Sequence, residues 1–187
     1  MKNLVIICCI GLLASCHQNQ SKKPLFNTLE FSFTDFKTSS FTVKFTQSDT
    51  AFVREYFVYY DTLKKKDNRS YFALLLSRQI KTLDSFINKT DFQNFDSAYY
   101  DYEDYKDETE YLFYFKKKSF TKTIFVHSYH EPPQLQKFAH WIVALRDSLK
   151  YQKINSDTIL FHIGRFEPRL ATPEMLLKNN TLSKQAD

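Results

Sequence analysis

Glycine is almost absent from this chain, and its scarcity excludes two large classes of enzyme site. Only Gly11 and Gly164 occur among the 187 residues. Phosphate-binding loops use several glycines so that backbone amides can approach the phosphates. The nucleophile elbow of serine hydrolases needs a glycine on both sides of its serine. The sequence therefore predicts neither a nucleotide-binding loop nor a hydrolase elbow.

Cysteine is equally scarce and is confined to one part of the chain. Cys8, Cys9 and Cys16 are the only three cysteines. No disulfide is expected beyond residue 16, so the rest of the chain has to be stabilised by packing. The 19 Phe and 12 Tyr residues supply large apolar side chains for that purpose.

The N-terminal segment has the layout of a secretory signal. Lys2 precedes an apolar run over residues 4–13, and two small residues precede Cys16. This run is much shorter than the roughly 20 residues that a transmembrane helix needs. The sequence therefore predicts a signal peptide over residues 1–15.

Leu13-Ala14-Ser15-Cys16 resembles the lipobox of bacterial lipoproteins at all four positions. The resemblance implies that the Cys16 thiol receives a diacylglyceryl group, that cleavage falls directly before it, and that the new amine is often acylated. Two or more acyl chains give a durable membrane anchor. Because residue 17 is His rather than Asp, the resemblance implies the outer membrane, and the lack of acidic residues directly after Cys16 favours the leaflet that faces the periplasm.

Composition and patterning divide the remaining chain into three parts. Residues 16–27 are predicted to be the lipidated cysteine and a flexible tether, residues 28–164 a single α+β domain, and residues 165–187 a loose tail. Loss of Lys2 with the signal leaves 25 basic against 21 acidic residues, a balance of +4. This modest charge gives no reason to expect a nucleic acid partner.

Strands are predicted where apolar and polar residues alternate. They are expected in six segments: residues 29–36, 41–46, 51–60, 111–115, 120–128 and 157–163. The 111–115 and 120–128 segments are expected to form a hairpin around a lysine-rich turn. The polar alternates Thr42, Lys44 and Thr46 indicate that one face of the sheet meets water.

Two helices are predicted between these strands. Ser77 is expected to cap the first helix, with Ile80 and Leu83 on its apolar face. Pro132 and Pro133 are expected to open the second helix, because proline suits the first helical turn. The predicted fold class is α+β, an antiparallel sheet of about five or six strands with two helices packed on one face.

The acidic, tyrosine-rich segment over residues 99–110 is the first candidate site. Its candidate contact residues for a ligand or partner are Tyr99, Tyr100, Asp101, Tyr102, Asp104 and Tyr105. One interpretation is a solvated loop, and a second is a contact for Ca²⁺ or a partner, although the spacing is not that of an EF-hand. A third is a site whose tyrosines stack on sugar rings, or a hydrolytic site that uses a pair of acids such as Asp101 and Asp104.

His127, His130 and Glu131 form a weaker candidate, a metal site. Imidazole and carboxylate groups are common metal ligands, but an extended strand would point the two histidines to opposite faces, so convergence needs a turn. The alternative interpretation is an ordinary strand end. No catalytic residue and no cofactor is predicted.

Several segments in order resemble an uncharacterised domain family of small exported proteins and lipoproteins, common in Bacteroidota. The segments that carry the resemblance are residues 41–56, Leu83–Phe86, Thr121–Ile124, Pro132–Leu135 and Trp141–Ile142. The resemblance covers roughly residues 30–150, and its motifs are diffuse. The family has no assigned activity, so the resemblance implies no functional residue.

The predicted function is that of a membrane-anchored envelope lipoprotein with a non-enzymatic binding domain. The expected partners are the membrane, through the lipid, and an envelope protein or glycan. One alternative is a carbohydrate-binding or hydrolytic domain that uses residues 99–110. A further alternative is metal binding at His127, His130 and Glu131.

Overall fold

The computed structural model describes six stretches of the chain. Of residue 100, which ends one of them, only the backbone is described. The six stretches are residues 25–35, 39–56, 69–100, 109–127, 131–155 and 159–163. Their secondary structure elements, in chain order, are β1 (Thr28–Thr34), β2 (Ser40–Phe45), β3 (Thr50–Glu55), β4 (Arg69–Leu74), α1 (Ser77–Lys89), β5 (Ala98–Tyr100), β6 (Glu110–Lys117), β7 (Phe120–His127), α2 (Pro133–Ser148) and β8 (Gln152–Ile154).

All of these strands belong to one sheet, in the order β5-β7-β6-β1-β2-β3-β4-β8. Neighbouring strands are antiparallel except β5 and β7, which are parallel. The fold is therefore α+β as predicted, but the expectation of five or six strands is too small. Three observed strands lie outside the predicted segments: β4, β5 and β8. Burial does not alternate regularly along β4, and β5 and β8 have three residues each, which is too short for an alternating pattern to show. Residues 159–163 form no strand, contrary to the prediction for 157–163.

One face of the sheet carries the hydrophobic core. Phe31 pairs across the sheet with Val43 on one side and with Phe113 on the other. All three side chains are buried because the helices cover them. The ring of Phe138 in α2 lies 5.4 Å from the ring of Phe113, and Leu83 of α1 belongs to the same core.

The two helices begin in different ways. Ser77 is the first residue of α1 rather than its cap, because Leu76 holds the cap position and its N–H donates to Gln79 Oε1 at 2.7 Å. The helix α2 begins at Pro133 as predicted, and its buried side chains include the predicted Phe138 and Ile142.

The second face of the sheet is not the solvent-facing surface that the sequence predicts. Glu30, Ser32 and Thr42 lie on it, and each is at most 1% exposed. The hydroxyl of Thr42 donates to that of Ser32 at 3.0 Å, so the polar groups satisfy one another there. Lys44 is only partly exposed.

Residues 159–163 cover part of this second face through the Glu30 cluster, which comprises Glu30, Lys44, His162 and Ile163. Glu30 Oε2 accepts hydrogen bonds from the backbone N–H groups of His162 and Ile163, both at 2.8 Å. Glu30 Oε1 lies 2.8 Å from His162 Nδ1 and 3.3 Å from Lys44 Nζ. A buried carboxylate with this many partners ties two distant parts of the chain together.

One end of the sheet, which we call the entry end, is where the described chain begins. The strand register places Thr28 beside Lys116 and Thr50 beside Leu74. The entry end therefore comprises residues 25–28, the 46–50 turn, residues 74–76 and the 117–120 turn. Phe26 is 5% exposed, so the core extends two residues beyond the predicted boundary at 28.

Candidate functional site

The tyrosines that begin the acidic segment lie on the edge strand β5. Tyr99 is partly buried, and its hydroxyl oxygen accepts a hydrogen bond from the N–H of Asp96 at 3.0 Å. The backbone of Tyr100 lies beside His127 of β7. The remaining candidates of this segment and two other predicted residues fall outside the described residues: Asp101, Tyr102, Asp104, Tyr105, Cys16 and His130.

His127 and Glu131, the two described members of the candidate metal site, have different partners. His127 Nδ1 lies 2.9 Å from Glu110 Oε1. Glu131 Oε1 instead accepts a hydrogen bond from the Tyr111 hydroxyl at 3.0 Å. Because Glu110 and Tyr111 are successive residues of β6, these two pairs lie on opposite faces of the sheet. No three His, Cys, Asp or Glu side chains in the described stretches are grouped closely enough to hold a metal ion.

The pair formed by Tyr111 and Glu131 fixes the start of α2 against β6. Burial, the negative charge of Glu131 and the hydrogen bond between the two side chains raise the pKa of Tyr111 far above its usual range. The phenol therefore stays neutral and remains a hydrogen-bond donor. This contact explains the position of Glu131 by packing and hydrogen bonding.

A row of polar side chains crosses the second face of the sheet at the end opposite the entry end. Its members are His127, Glu110, Thr34 and Ser40, which come from four adjacent strands. A carboxylate beside an imidazole can orient it as a general base. However, His127 is 6% and Glu110 5% exposed, so the pair lies beneath the surface. This burial favours a structural role for the row.

An open groove lies at the entry end, between the end of α1 and the turn that joins β6 to β7. Its volume is about 530 Å³. Its apolar wall includes the rings of Phe92 and Phe115, which stack with their centroids 4.3 Å apart. Lys89, Lys117 and Lys118 stand around it and are exposed. We call it the lysine-rimmed groove.

Positive charge dominates the lysine-rimmed groove. Three lysines face a single carboxylate in its lining, Asp91, which accepts a hydrogen bond from Asn94 Nδ2 at 2.7 Å. None of the three ammonium groups forms an ion pair with a carboxylate in the part of the chain that the structure describes. The wall also holds Thr90, which is 6% exposed and whose hydroxyl has no hydrogen-bond partner among the described residues. The groove therefore suits a ligand with a negatively charged group.

Lys118 occupies an unusual backbone position in the turn beside this groove. Its φ angle is 55°, the left-handed region that favours glycine, and it is the one non-glycine residue of this kind in the described stretches. Asn27 holds the turn: its side-chain oxygen accepts a hydrogen bond from the Lys118 N–H, and its own N–H donates to Lys116 O. The exposed side chain of Lys118 is thus held by a backbone conformation that is unfavourable for a residue other than glycine.

Replacing Lys118 with Gly is expected to raise the free energy of unfolding by up to about 1 kcal/mol, because glycine adopts positive φ without penalty. The side chain of Lys118 is exposed, so its removal costs little packing. Lys117→Gly is the matched control. Since Lys117 ends the strand β6, this change is expected to lower stability by about 0.5–1 kcal/mol. Urea denaturation measures both, and a Lys118→Gly chain less stable than Lys117→Gly would contradict the assignment of strain.

Comparison with protein-family models finds no match to this chain, and comparison with curated proteins finds no similar sequence. The resemblance to an exported Bacteroidota domain family therefore stays a prediction. None of the helices in the described stretches is long and apolar enough to cross a membrane.

The sequence does not predict the groove. The pattern around Lys117 and Lys118 predicts only a turn, and Lys89 is separated from them by 27 residues of chain. The available signal was the turn itself, because a two-residue hairpin turn usually holds Asn or Gly at a positive φ angle. A lysine in place of Asn or Gly at this turn position indicates that its side chain has a role of its own.

Proposed function

We propose that this chain is a lipid-anchored, non-enzymatic binding domain of the bacterial cell envelope. Its anchor is Cys16, and its location is the outer membrane, on the leaflet that faces the periplasm. The lipobox-like residues 13–16 support the anchor. The core begins only ten residues later, at Phe26, which supports a domain held close to the lipid.

The open, lysine-rimmed groove is the observation that carries the binding function. Its volume of about 530 Å³ falls in the range of roughly 300–1,000 Å³ that small-molecule sites occupy. The exposed lysines at its rim can be reached from solution, whereas the acid–imidazole pair of Glu110 and His127 is buried. This contrast favours the capture of a ligand over the turnover of a substrate. The ligand is an envelope component that carries negative charge.

Lipid attachment is tested by replacing the cysteine that would carry it. In bacteria fed radiolabelled palmitate, the parent chain is expected to become labelled and to fractionate with the outer membrane. Cys16→Ser is expected to remain unlabelled, because serine offers no thiol for the diacylglyceryl group. Mass spectrometry of the N-terminal peptide identifies the modified residue directly.

Cys9→Ser is the matched control, because Cys9 lies in the predicted signal and would be discarded with it. This variant is expected to be labelled and sorted as the parent is. Labelling of Cys16→Ser, or an unmodified parent chain in the soluble fraction, would refute the anchor. Neither result would depend on what the groove binds.

A further inference from the structure

The part of the domain nearest the proposed anchor is the entry end of the sheet. Nine residue steps separate Cys16 from Leu25, and a fully extended chain covers at most about 32 Å over them. Leu25 and Phe26 line a second groove of about 500 Å³ together with residues of the 46–50 turn and of α1. The opposite end of the sheet is about 24 Å further away along β6. The tether therefore allows the entry end to rest on the membrane surface.

The charge at the entry end matches an anionic surface. The lysine-rimmed groove opens there, since two of its three lysines belong to the 117–120 turn. The lining carries three lysines against Asp91, a local balance of +2. Lys22 and Lys23 of the tether add two more positive charges in the sequence just before Leu25. Clustered lysines beside a membrane anchor are a common means of binding anionic headgroups.

Two exposed leucines lie at the same end. Leu74 is 60% and Leu76 56% exposed, at the junction between β4 and α1. They are two of only three large hydrophobic side chains with high exposure in the described stretches. Basic residues together with exposed apolar side chains are typical of surfaces that rest in the interfacial region of a bilayer. The entry end therefore matches a membrane surface in its exposed apolar side chains as well as in its positive charge.

We propose that the entry end faces the membrane and that the lysine-rimmed groove binds the phosphate-bearing headgroup of an anionic phospholipid. The inference rests on the proposed function, because the anchor supplies the orientation and the high local concentration of lipid. Lys89, Lys117 and Lys118 contact the phosphate as point charges.

Vesicle binding without the lipid anchor tests this site by itself. The chain from residue 17 onward retains every described residue. It is titrated with vesicles of phosphatidylglycerol mixed with phosphatidylcholine, and with phosphatidylcholine alone, and the bound fraction is measured by cosedimentation. Binding is expected only to the anionic vesicles and is expected to weaken as salt is raised.

The double variant Lys117→Gln/Lys118→Gln is expected to bind the anionic vesicles roughly 25-fold more weakly, about fivefold for each lysine removed. Lys137→Gln/Lys150→Gln is the matched control, because these exposed lysines lie outside the groove. It removes the same charge and is expected to bind within about twofold of the parent chain. Equal melting temperatures for the three chains show that the differences arise from binding, and Lys89→Gln gives an independent fivefold readout.

The other possible outcomes of these titrations also support or overturn the proposed lipid-binding site. Equal loss in the two double variants would show that net charge alone is at work and would overturn the site. Saturable binding of free glycerol phosphate without binding to vesicles would identify a site for a small solute and would overturn the lipid. Lysine-dependent vesicle binding by a chain that is never lipidated in cells would support this inference and refute the anchor.

Discussion

Replacing Glu30 with Ala is expected to lower the free energy of unfolding by about 3–5 kcal/mol, the usual cost of removing one partner from a buried ionic cluster. Glu30 is fully buried on the second face of the sheet. Its carboxylate accepts hydrogen bonds from two backbone N–H groups, those of His162 and Ile163, and lies 3.3 Å from Lys44 Nζ. Alanine would leave both amides without their acceptor, while Lys44 would keep its hydrogen bond to Leu160 O.

The loss is expected to be largest where the Glu30 cluster joins distant parts of the chain. His162 stacks on Tyr114 with ring centroids 4.7 Å apart, and Arg54 lies 4.7 Å from the centre of the Phe161 ring. These contacts depend on the position of residues 159–163, which the carboxylate of Glu30 fixes. Hydrogen exchange of the His162 and Ile163 amides should therefore accelerate in Glu30→Ala before the rest of the sheet is affected.

Two further variants separate burial from charge. Glu55→Ala removes a carboxylate whose ion pair with Arg146, at 2.6 Å, is about one quarter exposed on both sides. That change is expected to cost about 0–1 kcal/mol. Glu30→Gln keeps an acceptor oxygen but loses the charge, so an intermediate cost of roughly 1–3 kcal/mol is expected. Urea denaturation gives all three values, and equal costs for Glu30→Ala and Glu55→Ala would show that the buried cluster contributes no more than a partly exposed ion pair.

The parts of the fold that the sequence predicts are those with local patterns. In the hairpin of β6 and β7, Tyr111, Phe113 and Phe115 recur at every second position before a short turn, and this pattern needs no knowledge of the rest of the chain. The helix α2 is equally local, since Pro133 marks its first residue. In these segments the residues that determine the structure are neighbours in sequence.

Two of the strands that the sequence does not predict depend on distant partners. The strand β5 owes its place to β7, which begins 20 residues after β5 ends, and β8 pairs with β4, more than 70 residues earlier. The burial of Glu30 has the same origin, because the amides that it binds are more than 130 residues away. An alternating pattern shows that a face is polar, but it does not show what covers that face.

The sequence does not predict the lysine-rimmed groove for a related reason. Lys89 and the pair Lys117 and Lys118 come together only because α1 ends beside the turn between β6 and β7. In the sequence they are separated charges, and solvated lysines are common on any surface. His127 and Glu131 show the opposite relation, because they are close in the sequence but do not form one site. Their partners, Glu110 and Tyr111, are successive residues of β6 and so point to opposite faces of the sheet.

Phe113→Ala is expected to cost about 3–5 kcal/mol, as for other large aromatic side chains removed from a core. The ring of Phe113 is fully buried, and four rings surround it: Phe31 at 4.9 Å, Phe138 at 5.4 Å, Tyr111 at 5.9 Å and Phe92 at 6.1 Å between centroids. These rings come from β1, α2, β6 and the turn after α1. A cavity between four separate elements collapses poorly, so the cost should fall at the upper end of the range.

Phe33→Ala provides the comparison, because Phe33 is only partly buried and its ring contacts are those with Phe31 and Phe41 among the described residues. A cost of roughly 1–2 kcal/mol is expected there, in proportion to the smaller apolar area that returns to water. Phe113→Leu keeps most of the volume and should cost less than about 1.5 kcal/mol. If Phe113→Ala proved no more costly than Phe33→Ala, the aromatic cluster would not be the main source of stability. No cysteine follows Cys16, so no disulfide between later residues could compensate for the loss of this aromatic packing.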